Sequence, residues 1–282
     1  MSDRNSTDDA QPDVFDWDPA ELIRGRPLSA GSGSHGIGFA LIVLNQPLHH
    51  HLDVTRRLWN HARVRIAADG GANALYQAAG QHGDSSFDDL AVIIGDLDSL
   101  TPAARAYYES RGGQGDEKKT LVIRDPDQES TDFGKAVAYV RQHHGAAGPL
   151  DIVAVGGLGG RVDQGLSQLH HLYRFQAEPR YARGRMYLFS GESLTFLLKP
   201  GRHRIRVRDG RSDDVFGKYV GILPVGRPSR ITTRGLEWDV RDWETCFGGR
   251  VSTSNHVLPE TEVVEVQTTE EVLFTIALRE KA

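Results

Sequence analysis

The residues with the clearest chemical potential are Asp96 and Asp98, which stand in the motif GDLDS directly after an apolar run. Two carboxylates this close repel one another and raise their own pKa values unless a cation or hydrogen-bond donors neutralise them. Mg²⁺ suits such a pair, because it is a hard ion that binds carboxylates, water and substrate phosphates. A helix-capping turn is the alternative, since Thr101 and Pro102 make a good helix start. Capping needs one oxygen and leaves the second aspartate unexplained, so we favour a metal site.

A second group of polar residues forms the motif ADGGAN. In it Asp69 follows a predicted strand, and Gly70 and Gly71 open a predicted helix. Glycines permit close approach of the backbone to a phosphate, and the free N–H groups of a helix start attract anions. An ordinary tight turn with Asn73 as the helix cap explains the same residues, and both interpretations stay open.

A third group is the acid-rich motif DQESTDF at residues 127–133. Ser130 or Thr131 can cap the following helix, and acids in a first helical turn suit the helix dipole. Capping does not account for so many acids next to the expected aspartate pair. We therefore expect Asp132 to supply a third carboxylate to the metal site.

The fourth group is the glycine loop GGLGGRVDQ at residues 156–164. Its glycines favour phosphate binding, and Arg161 offers a fork-shaped donor to anions. The loop is not the dinucleotide fingerprint, because the third glycine of that motif would fall on Val162, and the chain contains no P-loop motif. A nucleotide enzyme of this kind would handle phosphates with carboxylate-held Mg²⁺, glycine loops and arginine.

Short apolar runs alternate with helical patterns in residues 39–190, which predicts an α/β domain with a mainly parallel sheet and helices on both faces. Ligands of such sheets bind at the carboxyl ends of the strands, where the polar groups above are expected. After residue 190 the helical periodicity stops, and short strands with turn signals predict a β-sandwich or barrel at 191–282. The predicted strands of the first domain are 39–44, 64–68, 90–94, 121–123, 152–155 and 186–189; the predicted helices are 54–59, 73–79, 102–111, 131–142 and 164–175.

The first 38 residues are polar, acidic and rich in glycine and serine near their end. Such a composition buries too little apolar area to offset the entropy of ordering, so we expect a disordered or loosely docked tail. Val14, Phe15 and Trp17 are the side chains in it that could attach part of the tail to the body.

The chain has 282 residues and a net charge of −5, and most of this charge lies in the tail, where seven acids face three arginines. The near-neutral remainder argues against a nucleic-acid-binding surface. The single cysteine, Cys246, excludes an intrachain disulfide and suits a reducing compartment. We find no apolar run long enough to cross a membrane and no signal pattern. These features predict a soluble, cytoplasmic protein.

Two further patterns are weaker. The arginines at 202, 204, 206 and 208 alternate with other residues, which places them on one strand face. We interpret this face as solvated, with a phosphate or nucleic-acid groove as the alternative. The histidine runs at 49–51, 143–144 and 170–171 consist of neighbours, which do not share a helix face as metal ligands must. We interpret them as surface or packing residues.

Taken together, these motifs resemble those of the thiamine pyrophosphokinases, in particular their eukaryotic branch. The matching stretches run in order from about Phe39 to Leu278. After Asn255 the segment 256–260 departs from the family pattern. The matching motifs are LNQPL, ADGGAN, GDLDS, DQESTDF and GGLGGRVDQ in the first domain, and KPGRHRI, GILPVG, GLEW and FGGRVSTSN in the second.

The resemblance implies an N-terminal α/β domain, a C-terminal β-sandwich and a homodimer with sites at the subunit interface. It implies the Mg²⁺-dependent reaction of ATP with thiamine to give AMP and thiamine diphosphate. Asp96, Asp98 and Asp132 then correspond to the catalytic acids that bind the metal. Its ATP-site residues are Asp69, Gly70, Gly71, Asn73, Thr131, Arg161 and Asp163, with Arg161 also catalytic; its thiamine-site residues are Gln128, Trp238, Ser252, Ser254 and Asn255.

Two other functions remain open from the residues alone. One is a different Mg²⁺-dependent transferase, which would move a nucleotidyl or phosphoryl group to another acceptor. The second is a thiamine-binding sensor without turnover. The complete set of acids in GDLDS and STDF argues against a sensor, because a protein that only binds has no need of a full metal site.

Overall fold

The structure, a computed structural model, describes residues 13–25, 38–48, 52–82, 85–110, 119–146, 148–210 and 214–279. Within these ranges the chain forms fifteen strands and six α-helices. The strands are β1 (Val14–Trp17), β2 (Phe39–Val43), β3 (Val64–Ala68), β4 (Val92–Gly95), β5 (Leu121–Arg124), β6 (Asp151–Val155), β7 (Met186–Phe189), β8 (Ser193–Leu198), β9 (Gly201–Arg206), β10 (Phe216–Leu223), β11 (Ser229–Arg234), β12 (Trp243–Thr245), β13 (Ser252–His256), β14 (Val263–Thr268) and β15 (Val272–Leu278). The helices are α1 (Ala20–Arg24), α2 (Leu52–His61), α3 (Gly71–His82), α4 (Pro102–Ser110), α5 (Asp132–His143) and α6 (Val162–Phe175).

The predicted parallel sheet is formed by β2 to β7. Its strands lie in the order β7-β6-β2-β3-β4-β5, and each neighbouring pair is parallel. Side chains alternate between the faces of a strand. Leu41 and Val43 therefore belong to the core beneath α2, α3 and α4, whereas Ala40 and Ile42 belong to the core beneath α5 and α6. Helices cover both faces, as the alternation of strands and helices predicts.

The sheet continues past the predicted domain boundary. Gly191 lies in the turn between β7 and β8, which pair as an antiparallel hairpin. Strands β8, β15, β10 and β13 extend the sheet to ten strands among the described residues, and β1-β9-β14-β11-β12 form a second sheet. Ile205 and Val266 of the second sheet share one buried core with Phe196 and Phe274 of the first. The C-terminal part is an all-β sandwich, which confirms the predicted fold class.

The expectation of a disordered or loosely docked tail is wrong for residues 13–25. Strand β1 pairs in parallel with β9, from Val14 opposite Arg202 to Trp17 opposite Ile205. Phe15 and Trp17 are buried in the core of the sandwich. Composition failed as a guide because two aromatic side chains supply enough apolar area to order a short acidic segment. Residues 1–12 and 26–37 of the predicted tail lie outside the described residues.

The arginine row is exposed along β9, as predicted, and its side chains are also paired with carboxylates. Two of its partners come from the N-terminal segment, which explains why an acidic stretch docks against this strand. Among the described residues, the row is therefore a salt-bridged surface. The pairs are Arg202 with Glu265, Arg204 with Asp16, Arg206 with Asp18 and Arg208 with Asp214. The histidine run at 49–51 lies outside the described residues.

Candidate active site

The carboxyl ends of the parallel strands bring the predicted polar groups to one edge of the sheet. Asp69 follows β3, Asp96 and Asp98 follow β4, and the glycine loop at 156–160 follows β6. Because these strands belong to one parallel sheet, segments far apart in the chain meet at this edge. The edge is the place where the first domain can bind a ligand.

Three carboxylates form a tight cluster there. Asp69, Asp96 and Asp98 each offer an oxygen, and these oxygens lie within 4.8 Å of one another. The backbone N–H of Asp98 donates to Asp96 Oδ1 at 3.1 Å, and this bond lowers the pKa of Asp96. Leu97 has a left-handed φ of 66°, an unusual conformation for this residue type, which folds the segment so that the bond forms. The predicted aspartate pair is thus brought together by local backbone strain.

Asp69 joins this cluster, although the sequence assigned it to nucleotide binding alone. Its side chain is buried, and burial raises its pKa. Its Oδ2 accepts a hydrogen bond from the Ser99 N–H at 3.1 Å, whereas its buried Oδ1 has no hydrogen-bond partner among the described residues. A buried carboxylate oxygen without a partner is costly unless a cation or ligand satisfies it.

Asp132, the third predicted metal ligand, lies beside the cluster at the first residue of α5. Its Oδ1 accepts a hydrogen bond from the Asp96 N–H at 3.3 Å. Gly95 makes this approach possible, because a Cβ there would lie 2.7 Å from Asp69 Cβ and 2.9 Å from Asp132 Oδ1. Asp69 and Asp132 therefore flank the end of β4. Asp132 is the fourth carboxylate at the site.

Lys135 is a functional candidate that the sequence analysis missed. Its side chain is buried, and its Nζ donates to the carbonyl of Asp125 at 2.9 Å and lies 3.4 Å from Asp132 Oδ1. Burial raises the pKa of Asp132, and the Lys135 charge opposes that rise. The sequence feature that could have identified Lys135 is its three-residue spacing from Asp132, which puts the two side chains on one helical face.

The cluster fits a hard divalent cation. All of its donors are carboxylate oxygens, which such ions prefer, and oxygens bound to one ion lie within about 5 Å of one another. The unpartnered Oδ1 of Asp69 supplies the second indication, because a cation would satisfy it. Asp69, Asp96 and Asp98 can hold the ion, with Asp132 next to them.

Three predicted substrate-site residues have structural roles at this edge. Asn73 joins the starts of two helices, since its Nδ2 donates to the Ser99 carbonyl at 2.7 Å and its Oδ1 accepts from the Thr101 N–H at 2.9 Å. Thr131 caps α5, because its hydroxyl accepts from the Gly134 N–H. Gln128 contacts the cluster directly through a 3.1 Å hydrogen bond from Nε2 to Asp96 Oδ2.

The two glycines of the ADGGAN motif are required by packing within the chain. A Cβ on Gly70 would lie 2.3 Å from the side chain of Asn45, and one on Gly71 would lie 2.1 Å from the Val43 carbonyl. These contacts let the start of α3 approach the end of β2 closely. The same closeness leaves the N-terminus of α3 at the carboxyl edge, where its N–H groups can receive an anion.

Arg161 and Asp163 form an exposed ion pair at the start of α6. Arg161 Nε lies 3.1 Å from Asp163 Oδ1, and Nη2 lies 2.5 Å from Oδ2. The guanidinium lowers the pKa of Asp163. The structure therefore places Arg161 beside the glycine loop with its fork engaged by Asp163 rather than by the carboxylate cluster.

The predicted thiamine-site residues of the second domain form a separate group. Trp238 is half exposed, and its backbone is held by the side chain of Asn255. Asn255 Oδ1 accepts from the Trp238 N–H at 3.1 Å, and Nδ2 donates to the Trp238 carbonyl at 2.9 Å. Ser252 and Ser254 lie on the adjacent strand β13, and Ser254 is exposed with a left-handed φ of 58°.

The two groups lie far apart within one chain. Strand β13, next to Trp238, is at one end of the ten described strands, and β4 lies eight positions away. Neighbouring strands are about 4.8 Å apart, so roughly 38 Å of sheet separates them. Trp238 and Asp96 therefore lie near opposite ends of the ten-stranded sheet.

Comparison with known proteins decides the family. The model "Thiamin pyrophosphokinase, catalytic domain" matches residues 55–182, and "Thiamin pyrophosphokinase, vitamin B1 binding domain" matches residues 202–273. Thiamine pyrophosphokinase 3 of rice is 36% identical over 254 residues, which span 86% of this chain and 88% of the rice protein. The chain belongs to the thiamin pyrophosphokinase family. It is therefore an enzyme of the transferase class, as the motifs of both domains indicate.

Further relatives agree with this assignment. Thiamine pyrophosphokinase 1 of Arabidopsis thaliana is 35% identical over 258 residues, covering 87% of this chain and 88% of the relative. The crystal structure of yeast thiamin pyrophosphokinase superposes with a TM-score of 0.79 at 23% identity, covering 95% of this chain and 92% of that chain. This likeness confirms the fold. Among the described residues, no helix has the length and apolar character needed to span a membrane.

Proposed function

We propose that the protein is an ATP:thiamine diphosphotransferase that converts ATP and thiamine into AMP and thiamine diphosphate with Mg²⁺. The hydroxyl oxygen of thiamine forms a bond to the β-phosphorus of ATP. The bond from that phosphorus to the α,β-bridging oxygen breaks, the hydroxyl proton is released and AMP leaves. The observation that carries the proposal is the carboxylate cluster at the sheet edge of a chain from this family.

The first domain holds the phosphates. Asp69, Asp96 and Asp98 are assigned to bind Mg²⁺, and Asp132 supplies a further carboxylate beside them. Held by these residues, Mg²⁺ would supply positive charge that offsets the negative charge developing on the phosphates during transfer. The N–H groups at the start of α3, near Gly70 and Gly71, receive a phosphate.

Arg161 supplies a positive charge to the phosphates from the start of α6. Its guanidinium is exposed and is oriented by Asp163, so it can exchange part of this ion pair for contacts with phosphate oxygens. Positioned cationic donors of this kind stabilise charge in the transition state of phosphoryl transfer. Asn73 and Thr131 fix the helix starts from which these groups act.

The second domain binds thiamine. Trp238 offers a large exposed ring face on which a cationic heteroaromatic ring can stack, and such a cation–π contact contributes roughly 0.5–2 kcal/mol. Ser252 and Ser254 offer hydroxyl groups on β13, whereas the Asn255 amide is already engaged with the Trp238 backbone. Gln128 of the first domain would contact thiamine from the phosphate side.

A homodimer brings these two groups together. Because the sheet separates them within one chain, the acids of one protomer would meet Trp238 of its partner across an isologous interface. Exposed apolar side chains near β13, namely those of Trp238, Phe247 and Val251, are the kind of surface that such an interface covers.

The decisive experiment is incubation of the protein with ATP, Mg²⁺ and thiamine, followed by identification of both products. Formation of AMP and thiamine diphosphate in equal amounts is the expected result. ADP would instead indicate a phosphoryl kinase, and free pyrophosphate would indicate a nucleotidyl transferase. Thiamine binding without any nucleotide product would make the protein a sensor.

A further inference from the structure

The backbone that carries the exposed Trp238 side chain is held by several hydrogen bonds. Its segment pairs with β13, since Leu236 and Val257 form a β-bridge and the Glu237 N–H donates to the His256 carbonyl at 2.8 Å. Asn255 then holds the Trp238 backbone at both its N–H and its carbonyl. These bonds fix the backbone of Trp238 but leave the torsions of its side chain free.

The imidazole of His256 contacts the indole itself. Its ring centroid lies 5.1 Å from that of Trp238 at an interplanar angle of 45°. The His256 ring also lies 5.0 Å from the ring of Tyr219, at an interplanar angle of 68°. His256 therefore contacts two exposed aromatic side chains, and its contact with the indole limits the orientations that the indole can adopt.

Glu237 holds His256 in this position. His256 Nδ1 and Glu237 Oε2 are 2.5 Å apart, and because a carboxylate only accepts hydrogen bonds, Nδ1 carries the proton. The backbone bond between the same two residues keeps this contact short. The contacts from Glu237 through His256 to Trp238 thus connect β13 with the turn that carries Trp238, and backbone hydrogen bonds already join these two segments.

We propose that His256 is a positioning residue that holds the Trp238 ring in its stacking orientation before thiamine binds. This inference rests on the proposed role of Trp238 in thiamine binding. A ring that is already ordered loses less conformational entropy when the substrate arrives, so preorganisation increases affinity. The chemical step occurs at the phosphates, and His256 should therefore affect thiamine binding rather than turnover.

Steady-state kinetics of His256→Ala test the proposal. We expect a rise of about three- to tenfold in the KM for thiamine, with kcat and the KM for ATP unchanged within a factor of two. Glu237→Gln should shift the same constant in the same direction but less, because glutamine retains an acceptor for Nδ1. This second variant also provides a test if His256→Ala does not fold.

His143→Ala is the matched control. That histidine also stacks on an aromatic ring, with 4.2 Å between its centroid and that of Tyr139, but it is exposed at the last residue of α5, away from the proposed site. Its removal should leave every kinetic constant unchanged. An unchanged thiamine KM in both His256→Ala and Glu237→Gln would overturn the proposal.

A double-variant cycle separates positioning from direct contact. If His256 acts through the indole, His256→Ala should add no further loss of thiamine affinity in a Trp238→Ala background. A loss as large as in the parent protein would mean that His256 contacts thiamine itself, and the positioning role would be wrong.

Fluorescence anisotropy of the substrate-free protein tests the positioning role without depending on the proposed enzymatic activity. Trp17 and Trp59 are buried, so in a Trp243→Phe background the exposed indole signal comes from Trp238. His256→Ala should lower the anisotropy of that signal, whether or not the protein turns over thiamine. Equal anisotropy in the two proteins would contradict the positioning role, whereas absent turnover in the parent would contradict only the proposed function.

Discussion

Trp17 Nε1 donates a hydrogen bond of 3.0 Å to His203 Nδ1, and both side chains are buried between the sheets. The bond sets the tautomer, since Nδ1 accepts and the N–H at Nε2 donates to the Lys199 carbonyl at 2.7 Å. Burial lowers the pKa of His203 to about 4. The neutral imidazole thus belongs to the folded state and connects the N-terminal segment to the sandwich.

Stability of this connection should depend on pH. The unfolded chain protonates His203 near pH 6.5, whereas the folded chain does so near pH 4. The stabilising contribution is therefore complete above pH 6.5 and is lost as the pH falls towards 4, by up to about 3 kcal/mol. Asp18 acts in the opposite direction, because burial and then repulsion by Glu21 raise its pKa to about 6. Its protonation favours the folded state as the pH falls from 6 towards 4.

Asp18→Asn should remove this compensation. We expect the variant to be more stable than the parent at pH 7.5 by about 2 kcal/mol, since a partly buried charge is lost, and to lose stability more steeply between pH 6.5 and 4.5. Urea unfolding across this range measures both effects. Parallel pH profiles for variant and parent would show that Asp18 does not oppose His203.

Deletion of residues 1–25 should strongly destabilise the protein. It removes Phe15 and Trp17 from the core, and truncation of a buried tryptophan alone costs about 3–5 kcal/mol. The same result is expected for Trp17→Ala, also because Arg185 packs 4.0 Å from the indole centroid. Thermal unfolding provides the measurement. Deletion of residues 1–12 is the control, because the described contacts of the segment begin at Asp13, and a similar loss there would contradict this explanation.

Asp96→Asn and Asp98→Asn should abolish turnover and leave the fold intact. Each removes a carboxylate assigned to Mg²⁺, and relief of repulsion within the cluster keeps or raises the melting temperature of the metal-free protein. The rise in melting temperature that Mg²⁺ produces in the parent should disappear. Near-normal turnover at saturating Mg²⁺ in a folded variant would remove these residues from the mechanism.

Lys135→Met should cost about 3–5 kcal/mol of stability, because it leaves the Asp132 carboxylate without its buried partner. Adding Asp132→Asn should recover much of that loss, since no uncompensated charge remains, but it should not recover activity. Chemical denaturation of the two single variants and the double variant measures this coupling. Additive losses of stability would show that the two side chains do not act as a pair.

A mixed dimer of Asp96→Asn and Trp238→Ala protomers should be active although each parent is inactive or severely impaired. If each site takes its acids from one protomer and Trp238 from the other, one of the two sites carries both changes and the other carries neither. Co-expression with different tags, purification of the heterodimer and assay at saturating ATP and a thiamine concentration near the parent KM, where Trp238→Ala is impaired, should recover up to about half of the parent activity. A heterodimer no more active than the homodimers would place each site within one chain.

The sequence by itself determined the local elements and the type of chemistry. The apolar run that ends at Gly95 predicts a buried strand, and Asp96 and Asp98 directly after it lie where parallel sheets bind ligands. Thr131 caps α5, as its position before the helical pattern indicates. These inferences succeeded because hydrophobic periodicity, caps and turns depend on residues a few positions apart.

Only the tertiary structure decided which distant residues meet. It placed Asp69 within the carboxylate cluster, put the buried Lys135 charge beside Asp132, and docked Trp17 of an acidic segment against His203. It also separated Trp238 from the acids along the sheet. Strand order and register set these distances, and residues tens to hundreds of positions apart are brought together by packing of the whole chain, which no local pattern encodes.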